Sequence, residues 1–487
     1  MARKKKKDIL LFFMSTMNPR GGEQIDISQK KAKYLLENGT IVADCIQTNE
    51  PVIHDVVQLL KKQNEFLDAI YFFSTEQVQN QMVRIVDSDQ VLHDSITERE
   101  FLEQRWRKLY TKELSRTEFH HIGYCYPAQS DIYEQQPDLD LVGESSLRVS
   151  EMAEKVKLFV SPKRMRMDWK DTNLYADITG GFRHATMMMT SLIQILQYNG
   201  MKLQKLLYSD FLPGRALNKV FDFGEISHQY KLINGADEFI RFGSVHSLEA
   251  YFGTDYERLN ANSQPSELDA LLLAMHQFAN AIRICATNEV RRCMIEMRRA
   301  VEAFRQAEKK DVRTSAFGQL FDNIYEEYGA LLKKDCNDLD VIEWCMEKEF
   351  YQQALTLYVE WMPILFVHEK VIRPADEAGI KNKWNKVLMY RTSWQRYFIT
   401  DYPREFGQDI YAKNLKAMVK GNKAIVAPQR LNDVVHILLD YVDIVATRNA
   451  ISHAGEKQNA YTIGEVKRKM EASLNDIRSY IASCLGW

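Results

Sequence analysis

From residue 8 to residue 211, short apolar β-rich runs alternate with segments of helical periodicity. This alternation restricts the possible folds more than any other feature of the chain. The runs are Asp8–Met14, Ile41–Gln47, Ala69–Ser74, His120–Tyr126, Leu174–Ile178 and Leu206–Phe211. Several are apolar throughout, as strands buried on both faces are. Between them Ile27–Asn38, Val52–Asn64, Thr97–Leu114, Leu147–Val160 and Arg183–Asn199 read as helices. Strand and helix in alternation predict an α/β domain with a mostly parallel, doubly wound sheet.

After Val220-Phe221-Asp222-Phe223 the pattern changes. Leu268–Ala286, Val290–Gln306, Leu320–Leu332, Val341–Phe350, Gln352–Met362, Leu431–Thr447 and Val466–Ser483 all carry helical periodicity with little β-like alternation. The expected organisation is an α/β domain over 1–225 followed by an all-α region over 226–487. Ser263-Gln264-Pro265-Ser266 reads as a helix boundary with Pro265 just inside the start. Arg373-Pro374-Ala375-Asp376 reads as a break, and Lys413–Gln429 as a mobile loop carrying Lys413, Lys416, Lys420 and Lys423. That basic segment is read either as a solvated loop or as a guide for RNA.

Composition excludes rather than selects. The 487 residues are enough for several packed domains, and 64 Lys plus Arg against 66 Asp plus Glu neither require nor exclude a nucleic acid. The seven cysteines are scattered without a C-x-x-C pair, which argues for a reducing, cytoplasmic setting and against a structural metal site. No apolar run approaches the roughly 20 residues that span a bilayer, so no membrane partner is expected. The basic start Met1–Lys7 leads into a strand-like run rather than a signal-peptide core.

In a doubly wound sheet, ligands bind beyond the carboxyl ends of strands where the strand order reverses. The first strand runs into Ser15-Thr16-Met17-Asn18-Pro19-Arg20-Gly21-Gly22, a loop of hydroxyls, glycines and one Arg. A later strand runs into Thr179-Gly180-Gly181-Phe182-Arg183-His184. There two glycines admit a close backbone approach, Thr179 offers a hydroxyl, and a helix opens its free N–H groups toward an anion. Arg183 in the first helical turn is disfavoured by the helix dipole, which suggests a phosphate partner. A tight turn with an exposed Arg is the other reading. The loop matches neither G-x-G-x-x-G nor a P-loop, which counts against a dinucleotide or ATP enzyme.

Near the C-terminus, Arg448-Asn449-Ala450-Ile451-Ser452-His453-Ala454-Gly455 closes the apolar run Leu431–Thr447. A forked, permanently charged Arg can hold a phosphate, and a His titrating near neutrality can move protons at a ribose oxygen. An Arg followed by a His after five or six residues also occurs at Arg116/His121, Arg241/His246 and Arg430/His436. Arg448 is set apart by the adjacent Asn449, its small neighbours and Gly455 as a stop. A spacing of five puts the two side chains roughly 140° apart on a helix, so two copies facing each other across a dimer make a better cleft than one. The other reading is a helix end whose Arg and His interact with the last carbonyls.

Asp177-Ile178-Thr179-Gly180-Gly181-Phe182-Arg183 resembles the D-[IV]-T-x-G-F-R motif of CARF domains, the Rossmann-like sensors of CRISPR systems; Gly180 stands where that family often has a polar residue. Arg448–His453 resembles the R-x4-6-H signature of HEPN ribonucleases. Together they resemble the CARF–HEPN accessory ribonucleases of type III CRISPR antiviral defence.

The resemblance implies a homodimer. Its CARF domains would bind a cyclic oligoadenylate, cyclic tetra-adenylate in preference to cyclic hexa-adenylate. Its HEPN domains would form a metal-independent endoribonuclease for single-stranded RNA, leaving 2′,3′-cyclic phosphates. The implied catalytic residues are Arg448, Asn449 and His453. The implied messenger-binding residues are Ser15, Thr16, Thr179, Gly180, Gly181, Phe182 and Arg183. His184 is a candidate for slow cleavage of the messenger itself. A non-catalytic cyclic-nucleotide sensor is the alternative, and a nucleotide-using metabolic enzyme a further rival.

Overall fold

The computed structural model describes residues 6–17, 22–123, 141–181, 183–254, 256–261, 264–308, 311–387, 393–407, 410–452 and 461–485. The chain divides into two compact units, Met1–His228 and Gln229–Trp487.

In the first unit eleven strands are found among the described residues: β1 (Lys7–Phe13), β2 (Gln24–Asp26), β3 (Ala32–Leu35), β4 (Ile41–Cys45), β5 (Ala69–Ser74), β6 (Met82–Asp87), β7 (Gln90–Thr97), β8 (Glu118–Gly123), β9 (Thr172–Asp177), β10 (Lys202–Asp210) and β11 (Asn218–Asp222). Eight of them form one mixed sheet in the order β4-β3-β11-β10-β9-β1-β5-β8. The five strands from β10 to β8 are mutually parallel. β11 runs antiparallel to β10 and β3 parallel to β11, so these two are reversed, while the edge strand β4, antiparallel to β3, runs with the five again.

The apolar runs become central strands because both their faces are covered. Leu10, Phe12, Ile70 and Phe72 pack with Val52, Val56 and Leu60 of helix α1 (Glu50–Lys62) and Leu102 and Trp106 of α2 (Glu98–Leu109). Ile9, Leu11, Phe13, Tyr71 and Phe73 pack with Met152 and Val156 of α3 (Leu141–Val160) and Met189, Leu192 and Leu196 of α4 (Arg183–Tyr198). Among the five parallel strands the chain order runs outward from β1 to β5 and β8, then returns to the other side of β1 for β9 and β10, the β3–β4 pair at the far edge lying between β1 and β5 in sequence. The strand order therefore reverses between β1 and β9, and the loops after these two strands flank the reversal.

One expectation fails in this unit. Ile27–Asn38 is not a helix but a single 3-10 turn, Ile27–Lys30, followed by β3. Tyr34 and Leu36 are buried, a period of two, and pairing of β3 with β11 and β4 overrides the helical preference of a Lys- and Leu-rich segment. A second sheet, β2-β6-β7, goes unpredicted: Arg84 interrupts the apolar residues of β6, and most of β7 is exposed.

The second unit is helical. Helix α5 (Gly224–Phe242) leads into it, and its longer helices are α6 (Glu267–Arg283), α7 (Thr287–Gln306), α8 (Val312–Glu327), α9 (Asp338–Glu347), α10 (Tyr351–His368), α11 (Glu377–Val387), α12 (Tyr411–Lys420), α13 (Leu431–Ser452) and α14 (Ile463–Leu485). A two-residue β ladder joins Arg373–Pro374 to Ala424–Ile425. Ser266 caps α6, its hydroxyl accepting from the Asp269 N–H, so Pro265 falls before the cap rather than inside the helix.

The expected loop Lys413–Gln429 is largely helix α12 and the Ala424–Ile425 strand. Leu415 and Met418, three residues apart, are fully buried and hold α12 on the core despite its lysines.

Helix α13 is fixed by its apolar stripe Val434, Leu438, Tyr441 and Ile444. The Tyr441 hydroxyl donates to the Val359 carbonyl at 2.9 Å, joining α13 to α10. Tyr441→Phe leaves that buried carbonyl without its donor and is expected to cost about 1–3 kcal/mol in urea unfolding. An unchanged denaturation midpoint would contradict that accounting. Among the described residues no helix is long and apolar enough to cross a membrane.

Candidate functional site

Each unit contains one concentration of suggestive residues. In the first unit the loops after β1 and β9 meet. The Ser15 N–H donates to Asn49 Oδ1 at 3.1 Å, and Asn49 Nδ2 donates to Asp177 Oδ2 at 2.6 Å. Asn49, at the entry to α1, therefore ties the end of β1 to the end of β9. Gln47 Nε2 donates to the Ser15 carbonyl, and the Thr48 hydroxyl to Ser15 Oγ. Glu98, opening α2, takes the Thr16 hydroxyl at 2.9 Å and the Met17 N–H at 2.7 Å.

The second loop is as firmly built. Thr179 N–H donates to Asp177 Oδ1 at 2.8 Å, while its Oγ1 accepts from the Ser209 N–H at 2.7 Å. A Cβ on Gly180 would lie 1.7 Å from the Phe13 carbonyl oxygen, so only glycine lets the two loops come this close. Gly181 follows with φ +83°, and α4 starts at Arg183. Ser15, Thr16 and Thr179 are half-buried, Gly180 is buried and Gly181 exposed. Phe182 and the side chain of Arg183 lie outside the described residues, as do residues 18–21. His184, in the first turn of α4, is held below the ordinary histidine range by burial.

Asp177 is completely enclosed. Loss of hydration pushes its carboxyl up to about 6, against the opposing hydrogen bonds from Thr179 and Asn49. Its folded value lies above the ordinary 3.8, so the folded protein binds the extra proton between these values. Stability from this group is therefore present below about pH 4 and lost as pH rises through about 6. The difference in melting temperature between pH 5 and pH 7 should shrink in Asp177→Asn, which has no proton to lose; an equal difference in both proteins would remove Asp177 as its source.

In the second unit Arg448 and Asn449 stand in the last turns of α13, which ends at Ser452. His453 lies outside the described residues. Arg448 is half-buried, and its Nη1 donates to Asn449 Oδ1 at 3.2 Å. Its Nε is buried with no hydrogen-bond partner, and no carboxylate pairs with it among the described residues. Arg448 is near enough to Cys285 to favour that residue's thiolate, although burial keeps the thiol raised. Gln352 Nε2 donates to Ser452 Oγ at 3.2 Å, securing the end of α13 to α10. From α14, Lys469 reaches Asp443 at 2.6 Å and Thr447 at 3.3 Å.

The other Arg/His spacings are engaged differently. Arg116 lies over Phe66, and His121 shares a 2.6 Å hydrogen bond with Ser74. Arg241 pairs with Asp237 and Arg430 with Asp433. His436 sits between Asp440 and Asp476, at 3.6 and 3.5 Å. His436 is exposed and the two aspartates are half-buried, and they are the one group among the described residues with the spacing of metal ligands.

In the sequence Asp177 stands out only as part of a motif, and Asn49, Gln47 and Glu98 carry no local signal. Their partners lie 32 to 128 residues away, and no local pattern marks them.

No protein-family model matches the chain, and no curated protein matches it. Among solved structures it is similar to Enterococcus italicus Csm6 bound to cyclic hexa-2′-fluoro-hexa-dAMP, at 8% identity and a TM-score of 0.35, over 98% of this chain and 94% of that one. A likeness at that level carries no argument about site or activity.

Proposed function

We propose that the chain is a CARF–HEPN ribonuclease of type III CRISPR defence: a single-stranded RNA endoribonuclease, independent of metal, that a cyclic oligoadenylate switches on. The observation that carries this reading is Arg448, a half-buried guanidinium whose Nε has no partner and which no carboxylate neutralises among the described residues. Burying a charge without a counterion is costly, and a phosphate of bound RNA would supply one. The strand-order reversal between β1 and β9, lined by Ser15, Thr16, Thr179, Gly180 and Gly181, supports a phosphate-bearing ligand in the first unit. There the resemblance adds Phe182 and Arg183.

In the proposed reaction a ribose 2′-oxygen attacks the adjacent phosphate, the 5′-oxygen leaves, and a 2′,3′-cyclic phosphate remains. His453 moves the protons. Arg448 stabilises the charge that gathers on the phosphate, and Asn449 orients the guanidinium. Two protomers contribute one such set each, and messenger binding shifts the dimer toward its active form.

The test is cleavage of a fluorescent single-stranded RNA in EDTA, with cyclic tetra-adenylate, cyclic hexa-adenylate or neither. Cutting that requires one ring, the tetra-adenylate by preference, is the expected result. No cutting by folded dimer under any condition would leave a sensor without catalysis. EDTA also removes from the comparison any cation held by His436, Asp440 and Asp476.

A further inference from the structure

Between Ile410 and Asn432 the chain has no Asp or Glu, although the whole protein carries a net charge of −2. Within that stretch α12 presents Lys413, Lys416 and Lys420 to solvent, and Lys423 follows just beyond it. At 100° per residue the three helical lysines fall within an arc of about 60°, and they span about 10 Å along the axis. None of the four forms an ion pair among the described residues, unlike Lys381 and Lys383, which pair with Glu377 and Glu405. A row of like charges on one helical face is unfavourable to the isolated protein, so it points to an anionic partner.

The opposite face of α12 packs inward through Asn414, Leu415 and Met418. Beside it runs a cleft of about 350 Å³ lined by Arg404, Tyr411, Asn414, Val442 and Val445, among others. Val442 and Val445 share a face of α13 with Asn449, at intervals of three and four residues. From Val445 to Asn449 the rise is about 6 Å. The cleft is bounded on α12 by Tyr411 and Asn414, close in sequence to Lys413, and on α13 by Val442 and Val445, on the face that carries Asn449, the neighbour of Arg448.

We infer that the Lys413–Lys416–Lys420 row and this cleft are the track along which single-stranded RNA reaches Arg448. The lysines hold backbone phosphates without reading sequence. The inference takes its ligand from the ribonuclease reading above. A membrane surface fits less well, because the solvent face between the lysines carries only Ala417 and nothing to insert. An acidic protein is the competing occupant.

The experiment uses the full-length protein in EDTA and a fluorescent single-stranded RNA with 2′-O-methyl riboses, which cannot be cleaved by 2′-oxygen attack. Binding is followed by anisotropy over a range of salt. A variant with Lys413→Gln, Lys416→Gln and Lys420→Gln should bind at least about tenfold more weakly at low salt, with a salt slope smaller by about 2. A control with Lys231→Gln, Lys333→Gln and Lys334→Gln should match the wild type, and equal melting temperatures would show that all three proteins fold. Equal affinity and slope in the track variant would overturn the inference, as would loss of binding to polyglutamate with RNA binding intact. Lysine-dependent RNA binding without cleavage under any nucleotide would keep the track and remove the nuclease, whereas cleavage unchanged in the track variant would remove the track alone.

Discussion

Arg448→Ala should lower RNA cleavage by about 10²–10³-fold at saturating messenger, with messenger affinity unchanged. The size follows from what the side chain lacks: no carboxylate faces it among the described residues, and its Nε is buried without a partner. A guanidinium held by Asn449 and left otherwise uncommitted needs no reorganisation when charge accumulates on a phosphate. Arg448→Lys should recover only part of the rate, because an ammonium keeps the charge but loses the planar fork. Single-turnover rates in EDTA check both. Wild-type rates in Arg448→Ala would end the assignment, and a fall in stability alone would mean that the Arg only supports its neighbours.

Gly180→Ala should have the largest effect on the first unit. The added methyl would sit 1.7 Å from the Phe13 oxygen and 2.8 Å from the Phe13 carbonyl carbon. Both are main-chain atoms of the central strand, and no side chain can swing away to make room. The loops after β1 and β9 would have to separate, straining the Asn49 bridge between them. A cost of about 3–5 kcal/mol and a melting temperature lower by roughly 10 °C are expected. Messenger binding should fall more than the loss of folded protein explains. Gly181→Ala meets a different obstacle, a positive φ, and should cost less. Melting curves near the wild type for Gly180→Ala would show that the loops can part freely.

The sequence makes some of this legible and hides the rest for physical reasons. Ala69–Ser74 has the same bounds as a predicted run and as an observed strand, because six consecutive buried residues leave no other reading. The two loops at the strand-order reversal are recognisable from their glycines and hydroxyls. What joins them is not: Asn49 and Asp177 are 128 residues apart, and each resembles an ordinary polar residue at the end of an element. The β6–β7 hairpin is hard to read because Arg84 breaks the apolar residues of β6 and most of β7 is exposed, although Val83, Ile85 and Val86 are buried. The lysines of α12 conceal a helix whose fully buried apolar residues are Leu415 and Met418. Arg448 stood out only weakly by spacing, and the partners its rivals found in the fold distinguish it better.

The position of β1 has a consequence for how the chain is made. Its neighbours are β5 on one side and β9 on the other, and the Asn173 amide that reaches Asp8 comes from 165 residues downstream. Closing a loop of that length costs about 4–5 kcal/mol of chain entropy before any contact repays it. As the polypeptide leaves the ribosome, β1, β5 and β8 can pair while one flank of β1 stays bare. That flank is the apolar run Ile9–Phe13, and it remains open to other chains until β9 is synthesised. Truncated or stalled products ending before residue 172 should therefore be aggregation-prone, and the loop contact between Ser15 and Asn49 can acquire its Asp177 anchor only in the last stage of the sheet's assembly.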